Sequence, residues 1–187
     1  DSLDAAEATL RGGPARRARE FVFVGRLVPQ KGLNNLAAAY NAYRKRVDDP
    51  WRLKIVGQGP EARHFEGVPG VDLVGFVDPF ALPEVLRTSG VFVLPSVSEH
   101  WGVALAEAAA CGLPLIATHE VGASSDLVLP FHNGLIVKTG SAGALADALN
   151  WTHAHPNLLP SWGLRSTRLA EAYAHDRWAD RVAAIAR

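Results

Sequence analysis

Six short apolar runs punctuate the chain: F-V-F-V-G at 21–25, L-K-I-V-G at 53–57, V-D-L-V-G at 71–75, V-F-V-L-P at 91–95, L-P-L-I-A at 113–117 and G-L-I-V at 134–137. Short runs rich in β-branched and aromatic residues, bounded by turn residues, read as strands. Most are apolar throughout rather than alternating, as expected of strands covered on both faces. Helical patterns lie between them. Leu33, Leu36, Tyr40, Tyr43 and Val47 recur at spacings of three and four, 102–111 is alanine-rich, and 142–151 carries Leu145 and Leu149. Strands alternating with helices predict an α/β domain built on a parallel sheet of about six strands with helices on both faces. Residues 1–19 lack strand pattern and read as a linker or leading helix, so the domain is expected over 20–187. From about 158 onward two tail helices are expected, the second with Trp178, Val182 and Ile185 on one face.

Composition removes several function classes. Lys plus Arg number 19, as do Asp plus Glu, so no net charge draws the chain to nucleic acid or to an acidic membrane surface. The single cysteine, Cys111, makes neither an internal disulfide nor a cysteine zinc site, which fits a reducing, cytoplasmic setting. Cys111 itself reads as small packing. No stretch approaches the roughly 20 apolar residues of a membrane helix. The chain contains no methionine and reads as a fragment or a processed chain. His153 and His155 have no further ligands near them in sequence, so no metal site is expected.

In an open α/β sheet, ligands bind beyond the carboxyl ends of the strands. There stand Gly25, Arg26 and Lys31 after the first run, Gly57 to Pro60 after the second, and Phe76 and Val77 after the third. Ser96, Glu99 and His100 follow the fourth; Thr118 and His119 follow the fifth. Glu107 sits in a segment, 103–110, that is otherwise apolar, which predicts a buried helix carrying a lone carboxylate. Burial without partners costs on the order of several kcal/mol. Two adjacent ribose hydroxyls would supply partners, because a carboxylate accepts both hydrogen bonds; a structural ion pair is the alternative. Gly102 opens this helix, and the free N–H groups of a helix start form an anion site that glycine lets a phosphate approach closely. Arg26 and Lys31 would complete a diphosphate cradle, their other reading being solvated loop charge. A competing motif is Gly57-Gln58-Gly59-Pro60-Glu61-Ala62, which matches G-x-G-x-x-G/A with Asp78 further on. It follows the second strand rather than the first, and a dehydrogenase would leave Arg26, Lys31, Glu99 and Glu107 unexplained.

Several segments, taken in order, resemble a known family. They are F-V-G-R-L-V-P-Q-K-G-L at 23–33, V-G-Q-G-P at 56–60, G-F-V-D at 75–78 and V-F-V-L-P-S at 91–96. Then come E-H-W-G-V-A-L-A-E-A-A-A-C-G-L-P at 99–114, H-N-G-L-I-V at 132–137 and H-D-R-W at 175–178. From about residue 20 onward the chain resembles the C-terminal domain of the retaining glycosyltransferases of group 1, or family 4, which have the GT-B architecture of two Rossmann-like domains. The resemblance implies that Arg26 and Lys31 hold the diphosphate of a nucleoside-diphosphate sugar and stabilise it as leaving group. It implies that Glu107 takes the ribose hydroxyls, that Glu99 lies by the hydroxyls of the donor sugar, and that Gly102 and Val103 offer backbone amides to the phosphates. The segment Phe76–Val77 would meet the base; Gly25, Gly57, His100 and Trp101 would line the donor site.

The implied reaction is transfer of the sugar, with retained configuration, to an acceptor hydroxyl on a sugar, a lipid-linked glycan or a small molecule. It would need no cofactor beyond the donor and no metal. An N-terminal acceptor domain, absent from this chain, would be its partner and would decide any peripheral contact with a membrane. Two departures stand out. His100 and Trp101 replace a small polar residue and Phe, and Gly122-Ala123-Ser124-Ser125-Asp126 replaces a Gly-Gly and a later Glu. Beside the transferase stand two alternatives: a non-catalytic nucleotide-binding module, and a nucleotide-sugar epimerase of similar architecture.

Overall fold

A computed structural model describes residues 17–171. One sheet holds six parallel strands: β1 (Glu20–Val24), β2 (Arg52–Val56), β3 (Val71–Gly75), β4 (Val91–Leu94), β5 (Leu115–Thr118) and β6 (Gly134–Val137). Their order is β3-β2-β1-β4-β5-β6. Each lies within two residues of an expected run. The largest offset is at β5, which begins after Pro114, a residue with no N–H to give to a ladder. β1, β4 and β5 are buried along their whole length. β3 departs from the expectation of strands covered on both faces. It is an edge strand, and Leu73 and Val74, which point to opposite faces, are 42% and 44% exposed.

The α-helices are α1 (Leu33–Arg44), α2 (Leu82–Thr88), α3 (Val103–Ala110), α4 (Ser124–Leu127), α5 (Ala142–Ala154) and α6 (Leu159–Ala170). Right-handed crossovers put α1, on the path from β1 out to β2, and α3, on the path from β4 out to β5, on opposite faces. α1 packs with α5, and α3 with α4 and α6. The last residue of the periodic pattern, Val47, falls beyond the end of α1 and packs half-buried on the core. The short helices α2 and α4 were not expected. Residues 17–19 form no helix. The Arg17 guanidinium instead donates to the carbonyls of Leu86, Ser89 and Cys111 at 3.3, 3.1 and 2.7 Å. Residues 1–16 and the expected last helix with Trp178, Val182 and Ile185 lie outside the described residues. In α6, Trp162 is buried and its ring stacks on Trp151 at 5.3 Å.

The buried carboxylates are not the one the sequence pointed to. Glu20 and Glu61 are 6% and 5% exposed. Glu20 accepts from Lys54 Nζ at 2.7 Å and from Ser89 Oγ at 2.8 Å, and Glu61 meets Arg63 at 2.7 Å and His64 Nε2 at 2.9 Å. Each charge therefore has the partners that burial demands.

Between α1 and α5, Tyr43 Oη accepts the Trp51 N–H at 2.8 Å and stands 2.7 Å from His153 Nδ1. The phenol and the imidazole share one hydrogen bond, whose direction follows the tautomer of His153. Burial, and then the Arg19 charge, hold the His153 pKa below its ordinary 6.5; burial pushes Tyr43 up to about 12. A folded-state pKa below the unfolded one means that the unfolded chain binds more protons as pH falls. This contribution to stability is complete above 6.5 and is lost as pH drops through the lower folded value. As pH drops below 6.5 the melting temperature is expected to fall more steeply in the wild type than in His153→Gln, whose amide can still hydrogen-bond Tyr43. Parallel melting curves against pH for the two proteins would refute this.

Candidate functional site

The strand order reverses between β1 and β4, and the crevice beyond their carboxyl ends is where an open sheet of this order binds its ligand. The loop after β1 carries Gly25, Arg26 and Lys31; the loop after β4 carries Glu99 to Gly102 and runs into α3. These loops are fastened to each other. The Val97 N–H donates to the Gln30 carbonyl at 2.8 Å. Gly32 has φ +66°, and a side-chain carbon there would stand 2.2 Å from the Pro95 oxygen. Only glycine combines that left-handed backbone with so close an approach.

The other flank of the β4 loop is held by the segment after β5. The Glu99 N–H donates to Glu120, the Gly122 N–H to the Glu99 carbonyl and the Ala123 N–H to the Trp101 carbonyl, at 3.0, 3.0 and 2.8 Å. Thr118 Oγ1 donates to the Ser96 carbonyl at 2.5 Å. The departure Gly122-Ala123 thus has a clear duty: its amides fix the backbone on both sides of His100.

Across the crevice Lys31 Nζ forms an ion pair with Glu99 Oε2, their side chains 16% and 20% exposed. Nothing in the sequence pairs them, since 68 positions separate the two. Arg26 is exposed and has no ion pair among the described residues. The two cations therefore differ: one is already engaged, the other is open.

Gly102, with φ +97°, opens α3, and the first N–H groups to bond back, those of Leu105 and Ala106, reach its carbonyl. The amides ahead of them point out of the helix start, as in any α-helix. α3 is not buried all round, which corrects the sequence reading. Val103, Glu107 and Ala110 form an exposed face, with Val103 63% exposed. Ala108 and Ala109 on the opposite face are buried, while Ala110 stands at the surface. The Glu107 side chain has no hydrogen-bond or ion-pair partner among the described residues, and partial desolvation of its carboxyl raises its pKa. It is an exposed carboxylate one turn into the helix that Gly102 opens.

Phe76 is 68% exposed just past β3, with Val77 half-buried beside it. His100 and His119 are exposed and Trp101 is 39% exposed. Gly57 has a structural duty. Its N–H donates to Gly75 at 2.7 Å, and a side-chain carbon there would lie 1.8 Å from the Gly25 oxygen. Gly59 approaches the Leu27 oxygen similarly, and a short 3-10 segment, Pro60–His64, follows. The G-x-G-x-x-A motif thus locks the β2 exit onto the β1 exit and opens no α-helix, unlike a dinucleotide fingerprint. Cys111 ends α3 half-buried, and burial pushes its thiol pKa up. His155 stacks on Trp151 at 4.1 Å, a packing contact. A cavity of about 320 Å³ beside β6, between Phe131 and Trp151, lies away from the crevice.

Sheet order, crevice and the residues gathered there define a Rossmann-like domain of the GT-B type. The model of the family "Glycosyl transferases group 1" matches residues 11–166, and the chain belongs to that family. It is 34% identical over 176 residues to a D-inositol 3-phosphate glycosyltransferase of Gordonia bronchialis, covering 84% of this chain and 38% of the relative. It is 32% identical over 155 residues to a phosphatidyl-myo-inositol mannosyltransferase of Mycobacterium leprae, covering 80% of this chain and 40% of that one. The chain therefore spans about two-fifths of the length of these relatives.

Among solved structures, a sucrose-phosphate synthase of Thermosynechococcus elongatus is similar with a TM-score of 0.71 and 27% identity over 92% of this chain and 44% of its own. The C-terminal domain of a group 1 glycosyl transferase from Francisella tularensis matches with a TM-score of 0.72 at 22% identity, covering 87% of this chain and 88% of that domain. No helix among the described residues is long and apolar enough to cross a membrane.

Proposed function

We propose that this chain is the donor half of a retaining glycosyltransferase: it binds a nucleoside-diphosphate sugar, and with an acceptor domain it transfers the sugar to a hydroxyl. The observation that supports this reading is that the loops after β1 and β4, fastened together by backbone, carry Arg26, Lys31, Glu99 and the start of α3, the helix that bears Glu107. Arg26, Lys31 and the amides at Gly102 and Val103 supply positive potential for a diphosphate. Glu107 supplies acceptors for a ribose, and the exposed Phe76 ring a face for a base. A pneumococcal O-GlcNAc transferase of similar fold, with a TM-score of 0.76 at 20% identity, was solved in complex with UDP and GlcNAc, which is in keeping with a nucleotide ligand for this fold.

In the proposed reaction the acceptor hydroxyl oxygen bonds to the anomeric carbon, the bond from that carbon to the diphosphate breaks, and the hydroxyl proton passes to the departing diphosphate. Charge grows on the departing diphosphate, where fixed cations and amides lower the barrier without reorganising. The second domain contributes by placing the acceptor. The diphosphate charge is met by protein groups, so no metal is assigned.

Calorimetric titration of UDP, GDP, ADP and NAD in the presence of EDTA tests this directly. Binding of one nucleoside diphosphate is the expected result. Binding of NAD alone, or binding only after a divalent ion is restored, would contradict it.

A further inference from the structure

The pairing of Lys31 with Glu99 joins two residues that the proposed donor site needs for different parts of its ligand. We infer that Glu99 holds Lys31 in the empty site as a stand-in for the diphosphate, and that exchange of Lys31 between carboxylate and phosphate weakens the hold on the nucleoside diphosphate product. The inference rests on the donor-site reading above.

The geometry leaves little else to move. The backbone at Lys31 is set by its N–H bond to Val28 at 3.0 Å and by the locked Gly32, and that at Glu99 by bonds to Glu120 and Gly122. Any adjustment to a ligand therefore falls on the two side chains. Both are mostly buried, so neither charge is well solvated once it is left alone.

A nucleoside diphosphate brings at least two negative charges beside Glu99. If Lys31 turns to the phosphates, Glu99 is left a mostly buried carboxylate without its cation. If Lys31 stays, the diphosphate keeps only Arg26 and the helix start. A sugar on the diphosphate removes the conflict, because its hydroxyls donate to Glu99 while Lys31 turns away. Glu99 thus favours the loaded donor over the spent nucleotide, and the same pair draws Lys31 back after transfer.

The experiment is calorimetry of the nucleoside diphosphate, without sugar, on the wild type and Glu99→Gln, which keeps the shape and removes the charge. About ten-fold tighter binding to Glu99→Gln is expected. Equal or weaker binding would overturn the inference while leaving the donor site intact. Absence of binding to the wild type would overturn the donor-site reading and the inference with it. If Glu99→Gln fails to fold, the ¹⁵N resonance of the Lys31 ammonium in the wild type decides. It should shift on saturation with the nucleoside diphosphate, and an unmoved resonance contradicts the exchange.

Discussion

Turnover of the complete glycosyltransferase carrying Lys31→Ala is expected to fall about 10²–10³-fold, with a loss of the same order for Arg26→Ala. The reason is electrostatic. Both side chains leave the β1 loop at the crevice, and in the proposed reaction their positive charge faces a leaving group that gains negative charge as its bond breaks. Interactions stronger in the transition state than in the ground state appear in kcat, so the loss should persist at saturating donor. In the wild type Lys31 must leave Glu99 to reach the diphosphate, a cost that Lys31→Ala does not carry, so the KM for donor should rise less in Lys31→Ala than in Arg26→Ala. Steady-state kinetics of the full-length protein measure both. Normal kcat in both variants would remove the leaving-group assignment and leave the pair as loop charge.

Gly57→Ala is expected to be the most damaging small change to the fold. Its new carbon would stand 1.8 Å from the Gly25 oxygen, at a φ of +138° that side chains avoid. The obstacle is backbone, so no rotamer relieves it. Backbone strain and overpacking together cost roughly 3 kcal/mol or more. For a domain of this size that lowers the melting temperature by about 10 °C. Thermal melts of the two proteins measure it, and a shift within a degree or two would mean that the β1 and β2 exits are not locked together. Because Arg26 follows Gly25 directly, the same variant should also bind nucleotide more weakly.

What could be read from the sequence followed burial. Central strands are covered on both faces, so β1, β4 and β5 stand out as largely apolar runs. The strand order comes from the structure, and the chirality of crossovers then sets which face each helix covers. The edge strand β3 was overread because V-D-L-V-G looks like its buried neighbours, while only the sheet order reveals a missing partner. Glu107 stands on the expected helix, but exposed rather than buried. Alanine is compatible with both surface and core, so 103–110 carried no real information about burial. Glu20 and Glu61, the carboxylates that are buried, gave no signal because strand-end and turn positions look exposed. The Glu20 partners Lys54 and Ser89 lie 34 and 69 positions away. The pairing of Lys31 with Glu99 was hidden for the same reason. The helix α2 could have been found from Leu82, Val85 and Leu86, spaced as one helical face behind a turn at Asp78-Pro79.

The central claim is that the crevice between the β1 and β4 loops binds a nucleoside diphosphate through its ribose as well as its phosphates. Glu107 tests it most directly, because it has no structural partner among the described residues to lose. Calorimetry of the bound nucleoside diphosphate should show roughly 10- to 100-fold weaker affinity for Glu107→Ala than for the wild type, the worth of one or two hydrogen bonds to a charged acceptor. The melting temperature should be nearly unchanged. Unaltered affinity in a folded Glu107→Ala would place the ribose elsewhere and contradict the account.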